Sequence, residues 1–203
     1  FGGLESIAHN RNRKNGDVKF YEFGNCYDYD IDKKKDGETL SAFSEDYRLG
    51  LWISGNKVSN NWAHPDEKAT VYELKAYVVN VLVRLGVNVS KVIFGNLTND
   101  IYSAALSITT VSGRQLGTLG IINKKVCKAL DIDTEVYYAE LSWTLLMKEI
   151  KKSKVTFSDI SKFPAVKRDL ALLLNKNVQF AEVQKIAFDS DKKLLKKVEL
   201  FDV

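Results

Sequence analysis

Residues that commonly bind metals or act as nucleophiles are scarce in this 203-residue sequence. The two cysteines, Cys26 and Cys127, form no CxxC pair, and the two histidines, His9 and His64, lie far apart. Zinc sites and disulfide scaffolds need clustered ligands or paired cysteines, so both are disfavoured. Unpaired reduced thiols are typical of the cytoplasm. We therefore predict a cytoplasmic protein whose cysteines are small core residues.

Motifs for phosphate binding and hydrolysis are also missing. The sequence contains no P-loop, no GxSxG and no HExxH, and Gly113, Gly117 and Gly120 lie in a predicted hairpin instead of opening a helix. No apolar run approaches the roughly 18 residues needed to span a membrane. These absences give no support to a free-standing enzyme or a membrane protein.

The composition is that of an ordinary globular protein, with 45% hydrophobic and 28% charged residues. The net charge of +4 is compatible with an RNA partner but does not require one. The length allows one large domain or two small ones. The sequence starts at Phe1 without an initiator methionine, which predicts a piece of a longer chain.

Residues 1–152 predict an α+β domain with a mainly antiparallel sheet. The helix at 71–85 has the clearest signals, because Thr70 and Glu73 form a capping-box pattern and Gly86 follows its end. Hydrophobic periodicity predicts the other elements. The remaining predicted helices are 3–12, 123–130 and 142–150, and the predicted strands are 18–23 with its continuation 27–30, 46–54, 91–94, 104–111, 115–122 and 135–141.

A basic, hydrophilic stretch at 148–154 predicts a domain boundary, giving domains 1–152 and 153–203. The second domain reads as a strand at 169–174, a helix at 180–188 and a strand at 196–203. This β-α-β order is half of a split βαβ sandwich. It predicts a truncated ferredoxin-like segment.

Lysines recur between residues 148 and 197, and such density suits phosphate contacts without base specificity. Interspersed acids leave a solvated surface as an equal alternative. The charge-dense stretch 32–38, DKKKDGE, is interpreted as a solvated hairpin tip rather than an RNA contact.

Two strings resemble a known family. Residues 161–174 read SKFPAVKRDLALLL and residues 192–203 read KKLLKKVELFDV. Together they resemble the start of the ferredoxin-fold anticodon-binding domain that ends the β subunit of bacterial-type phenylalanyl-tRNA synthetases. Upstream, residues 2–24 (GGLESIAHNRNRKNGDVKFYEFG) and 117–130 (GTLGIINKKVCKAL) are similar to other segments of that subunit.

The resemblance implies that residues 1–152 form a class II synthetase-like sheet without activity. It implies that catalysis belongs to the α subunit of an α2β2 assembly that binds phenylalanine tRNA. ATP and Mg²⁺ would be used by the holoenzyme, with no cofactor, metal or catalytic residue in this piece. Class II enzymes hold the ATP α-phosphate with an arginine after the first motif-2 strand, and none follows Tyr21-Glu22-Phe23-Gly24 here.

Three residues are predicted to contact RNA phosphates in the second domain: Lys162, Lys167 and Arg168. An ion pair with Asp169 is the alternative role for Arg168. Two other functions remain open. One is a free-standing class II-like amino-acid-activating ligase. The other is a single-stranded RNA binder, which ranks lower because the consensus RNP aromatic string is absent.

Overall fold

The computed structural model describes residues 1–150, 157 and 159–201. The chain divides into two compact units, Phe1–Val155 (unit 1) and Thr156–Val203 (unit 2). The domain boundary predicted after residue 152 lies outside the described residues. Among the helices that the described residues form, none is long and apolar enough to cross a membrane.

Unit 1 contains helices and strands in mixed order. The helices are α1 (Gly2–Arg11), α2 (Val71–Arg84), α3 (Lys124–Lys128) and α4 (Trp143–Ile150). The strands are β1 (Val18–Tyr29), β2 (Phe43–Ser54), β3 (Asn56–Val58), β4 (Glu67–Lys68), β5 (Val92–Leu97), β6 (Tyr102–Thr110), β7 (Gln115–Ile122) and β8 (Val136–Ser142). Short 3₁₀ turns occur at Ile31–Lys33 and Val89–Lys91.

Six strands form one antiparallel sheet in the order β1-β2-β8-β7-β6-β5. The last of the described strands, β8, lies between β2 and β7. Strands β3 and β4 pair separately. The predicted α+β class with an antiparallel sheet is therefore confirmed.

One side of the sheet, here the α2 face, packs against helix α2. Side chains alternate along a strand, so Leu49 and Ile53 of β2 point to this side. Helix α2 covers them with the stripe that the 3.6-residue periodicity predicts, in which Leu74, Val78 and Leu82 are fully buried. This layer forms the main hydrophobic core.

The ends of α2 follow the predicted signals with one difference. The Thr70 hydroxyl accepts the Glu73 amide at 3.4 Å, as a capping residue does. The Glu73 carboxylate, which the capping-box pattern directs back to the helix start, instead accepts hydrogen bonds from Lys19 Nζ (2.7 Å) and the Tyr77 hydroxyl (2.8 Å). Gly86 closes the helix at φ +79°, a conformation that favours glycine.

The opposite side, here the α1 face, packs against α1 and α3. Trp52 stacks on Tyr138 with ring centroids 5.0 Å apart, and α1 covers the indole with Gly3. A Cβ at Gly3 or Gly50 would overlap the Trp52 ring, so both positions require a glycine. A second core forms here around Trp52.

Unit 2 differs from the prediction. Helix α5 (Phe180–Ser190) is present as expected. Residues 169–174 and 196–201 form no strand, so the two strand predictions are wrong for the described residues. A strand exists only when a neighbour completes its hydrogen bonds. Neither stretch has a paired neighbour among the described residues, and apolar side chains such as Leu173 and Phe201 are exposed.

Candidate functional site

A cluster of charged side chains lies on the α1 face, where the second half of β1 and the first half of β2 meet the end of β8. Arg48 of β2 is at its centre. Its Nε is 3.0 Å from Asp46 Oδ2, a terminal nitrogen contacts Glu140, and the other is 3.8 Å from Asp28 Oδ2. We call these four residues the Arg48 cluster. Strand register brings them together, because Arg48 lies opposite Ser142 of β8 and Gly24 of β1.

Neutral side chains complete the hydrogen bonding of the Arg48 cluster. The Tyr138 hydroxyl donates to Glu140 at 2.6 Å, and the Ser142 hydroxyl donates to Asp46 at 2.9 Å. Burial, and to a smaller extent the hydrogen bond to Glu140, raises the pKa of Tyr138, so this phenol stays protonated at neutral pH. Both carboxylates are thereby held in place.

The electrostatics of the cluster are acidic. One guanidinium faces three carboxylates, which gives a formal charge of −2. Burial lowers the pKa of Arg48, but Glu140 and Asp46 outweigh this effect and the pKa is raised overall. A guanidinium whose donors are already used by carboxylates is poorly suited to bind a phosphate, and the negative charge repels one. The Arg48 cluster is therefore poorly suited to bind the phosphates of a nucleoside triphosphate.

The segment that follows β1 is a solvated tip. Residues 31–40 are exposed. Lys33 pairs with Asp30 at 3.0 Å and Lys35 lies 4.0 Å from Glu38. The structure agrees with the interpretation of 32–38 as a solvated hairpin tip.

The cysteines occupy different environments. Cys127 is buried in the α1-face core, and burial raises the pKa of its thiol, so the prediction of a core residue is confirmed. Cys26 is half-buried on the edge strand β1 instead. Within the part of the chain that the structure describes, no group of three histidine, cysteine, aspartate or glutamate residues could hold a metal ion.

The three predicted RNA contacts, Lys162, Lys167 and Arg168, are exposed on a stretch of unit 2 without helix or strand. None of them forms an ion pair with another described residue, so Arg168 does not pair with Asp169 as the alternative supposed. Their role in RNA binding stays a prediction. The Arg48 cluster was missed from the sequence, where its members lie up to 112 positions apart. The only local signal was the pair of opposite charges Asp46 and Arg48, which lie two residues apart and therefore share one face of β2.

Comparison with known families decides the relationship. The family model described as the phenylalanyl tRNA synthetase beta chain CLM domain matches residues 1–143. This chain belongs to the phenylalanyl-tRNA synthetase beta chain family. A second model, the ferredoxin-fold anticodon binding domain, matches residues 161–203 of this beta-chain family member. Both parts of the predicted resemblance are confirmed.

Relatives of this beta-chain family member are named phenylalanine–tRNA ligase beta subunit. Those of Bacteroides thetaiotaomicron, Porphyromonas gingivalis and Fusobacterium nucleatum are 63%, 46% and 31% identical to it. The alignments cover 100%, 100% and 98% of this chain, but 25%, 25% and 24% of those proteins. The chain thus spans about a quarter of the length of the curated relatives it matches.

A solved structure shares the fold. The crystal structure of pyrrolysyl-tRNA synthetase from Desulfitobacterium hafniense matches with a TM-score of 0.52 at 10% identity. The match covers 75% of this beta-chain family member and 48% of the other chain. At this identity the similarity concerns the fold alone.

Proposed function

We propose that this chain is a non-catalytic part of the β subunit of phenylalanyl-tRNA synthetase. It supports ATP-dependent attachment of phenylalanine to its tRNA by packing against the α subunit of an α2β2 assembly in the cytoplasm and by binding tRNA. ATP and Mg²⁺ act in the α subunit. The observation that carries the non-catalytic assignment is the Arg48 cluster, where three carboxylates surround the arginine.

The charge of the Arg48 cluster supports inactivity. We propose that the six-stranded sheet is of the class II type, which the shared fold with another aminoacyl-tRNA synthetase supports. Formation of an aminoacyl adenylate needs a fixed cation at the α-phosphate of ATP. The segment after β1 provides only exposed lysines, and the nearby Arg48 is neutralised. An acidic cluster at this place opposes phosphate binding.

Pyrophosphate exchange tests this assignment. The 203-residue chain alone should show no amino-acid-dependent exchange of pyrophosphate into ATP. A complex of the α subunit with the full-length β subunit should show exchange with phenylalanine. Exchange by the chain alone would instead establish the free-standing ligase. Failure of the complex to assemble at all would overturn the subunit assignment without making the chain an enzyme.

The second part of the proposal concerns tRNA. Lys162, Lys167 and Arg168 are exposed cations in the segment that matches the anticodon-binding domain, which supports phosphate contact. Changing all three to glutamate in the full-length holoenzyme should weaken tRNA binding and flatten its salt dependence. Three lost phosphate contacts reduce the slope of log K against log salt by about 2.

A matched control separates local contacts from net charge. Changing the hairpin-tip lysines Lys33, Lys34 and Lys35 to glutamate makes the same change in charge at exposed positions. This variant should keep the wild-type salt slope. Equal effects of the two triple variants, or no effect of either, would contradict the assignment of the RNA contacts.

We propose that the domains meet after residue 152, with a catalytic-like domain before it and the start of the anticodon-binding domain after it. The division into compact units near the same position supports this boundary. Limited proteolysis of the chain should cut first within 148–156. A first cut inside the six-stranded sheet would contradict it.

A further inference from the structure

Strand β1 forms one edge of the main sheet. It pairs with β2 over the whole of Val18–Tyr29, and no other described strand pairs with it. Twelve residues of strand span about 40 Å. A long edge strand with unpaired N–H and C=O groups is a template for another strand.

Two grooves flank this edge at Tyr21, one on each face of the sheet. The groove on the α2 face has a volume of about 460 Å³ and is walled mainly by aromatic and aliphatic side chains of the sheet, α2 and α4. Phe23 and Trp143 are among its lining residues, with ring centroids 4.8 Å apart. The groove on the α1 face has a volume of about 450 Å³. Its polar lining comes from Ser6, Asn10 and Glu22.

This arrangement matches the geometry of an added strand. Successive side chains of an extended peptide point to opposite faces of a sheet. A strand paired with β1 near Tyr21 would place alternate side chains in the apolar groove and the polar groove. Recognition by strand addition uses main-chain hydrogen bonds for affinity and such alternating pockets for specificity.

Charge selects among the possible occupants. Residues 21–47 contain eight carboxylates and three lysines, a formal charge of −5 in a chain whose net charge is +4. Glu22 is exposed and has no ion-pair partner among the described residues. Two copies of this acidic hairpin repel each other, and so do the hairpin and an RNA phosphate chain. A basic polypeptide is attracted.

We propose that the outer edge of β1 binds an extended strand of another polypeptide in which apolar and basic side chains alternate. Its apolar side chains fill the groove beside Phe23 and Trp143. Its lysine or arginine side chains reach Glu22 in the other groove. This inference goes beyond the role in tRNA charging, and its test does not depend on the subunit assignment.

A labelled seven-residue peptide of alternating lysine and leucine, blocked at both ends, is the probe. Fluorescence anisotropy measures its binding to the 203-residue chain. A peptide of the same composition with three leucines followed by four lysines should bind at least tenfold more weakly. The alternating peptide N-methylated at every backbone amide should lose binding to the same extent, because neither of its edges can donate hydrogen bonds to β1. Equal binding of the three peptides, or no binding at millimolar concentration, would overturn the proposal.

Variants of the chain locate the site. Tyr21→Ser and Glu22→Gln should each weaken the alternating peptide at least threefold. The controls are Tyr72→Ser and Asp100→Asn, which change exposed residues outside both grooves and should leave binding unchanged. Hydrogen exchange should slow in Val18–Tyr29 when the peptide is bound.

Two results would assign the edge to a different occupant and refute the proposal. One is a dimer of the chain in sedimentation equilibrium that Tyr21→Ser dissociates. The other is displacement of the peptide by a twelve-nucleotide single-stranded RNA at equal concentration.

Discussion

The close packing of Trp52 predicts a large cost for adding a single methyl group at Gly50. A Cβ at this position would lie 2.7 Å from Cζ3 of Trp52 and nearer still to its neighbour in the ring. The indole cannot move aside, because Gly3 of α1 and Tyr138 of β8 hold it. Overpacking of this kind costs about 1–3 kcal/mol. We expect Gly50→Ala to destabilise unit 1 by about 2 kcal/mol.

Gly24→Ala is the matched control. Gly24 lies on the neighbouring strand and the same face of the sheet, but a Cβ there meets nothing within 4 Å. The control should be neutral within about 0.5 kcal/mol, since an unstrained glycine-to-alanine change also lowers the entropy of the unfolded chain.

Urea unfolding followed by tryptophan fluorescence measures both variants. All three tryptophans, Trp52, Trp62 and Trp143, lie in unit 1, so the signal reports on that unit alone. In thermal unfolding, the same loss of 2 kcal/mol should lower the midpoint temperature by roughly 4–8 °C for a unit of this size. The penalty should shrink in a Trp52→Phe background, where the ring is smaller. If Gly50→Ala and Gly24→Ala have equal stability, the packing argument is refuted.

Three further changes test the polar contacts of unit 1. Arg48→Met should cost about 1–2 kcal/mol, because it leaves three carboxylates without a cation. Urea unfolding measures this loss, and a variant as stable as the wild type would count against the role of Arg48. Burial raises the pKa of Tyr102 to about 12, so stability is full below its ordinary pKa of 10.0 and falls as pH rises through 12. Tyrosinate absorbance at 295 nm should show a tyrosine that ionises well above pH 10. Ionisation of every tyrosine near pH 10 would contradict the prediction. Burial alone would raise the pKa of Glu73, but hydrogen bonds from Lys19 and Tyr77 lower it overall, so stability should fall as pH drops below 4.5. Glu73→Gln should flatten this acid limb in thermal unfolding, and an unchanged limb would show that another carboxylate causes it.

Local sequence signals predicted most of the helices, strands and turns of unit 1. Thr70 and Gly86 mark the ends of α2 because each satisfies helix-end groups within a few residues. Gly113, at φ +79°, marks the turn between β6 and β7 for a similarly local reason. Such signals do not depend on distant parts of the chain, so they can be read from the sequence.

The charged site could not be predicted in the same way. Asp28, Arg48 and Glu140 meet only through the register of β1, β2 and β8, which no local pattern specifies. The failed strands at 169–174 and 196–201 have a related cause. Their apolar patterns are suitable for strands, but strand formation depends on a partner elsewhere. The relationship to the beta-chain family was predicted from the resemblance of whole segments, because composition and catalytic motifs gave no indication of it.

The position of β8 between β2 and β7 has a consequence for how the chain folds. Residues 18–54 can pair as a local hairpin, and residues 92–122 can form a local three-stranded meander. Among the described strands, Val136–Ser142 is the one that joins these two parts, by pairing with β2 across more than eighty residues. A ribosome that has not yet released residue 142 therefore holds two half-sheets with exposed inner edges. We expect the slow, non-local step of folding to be the insertion of β8, which joins them.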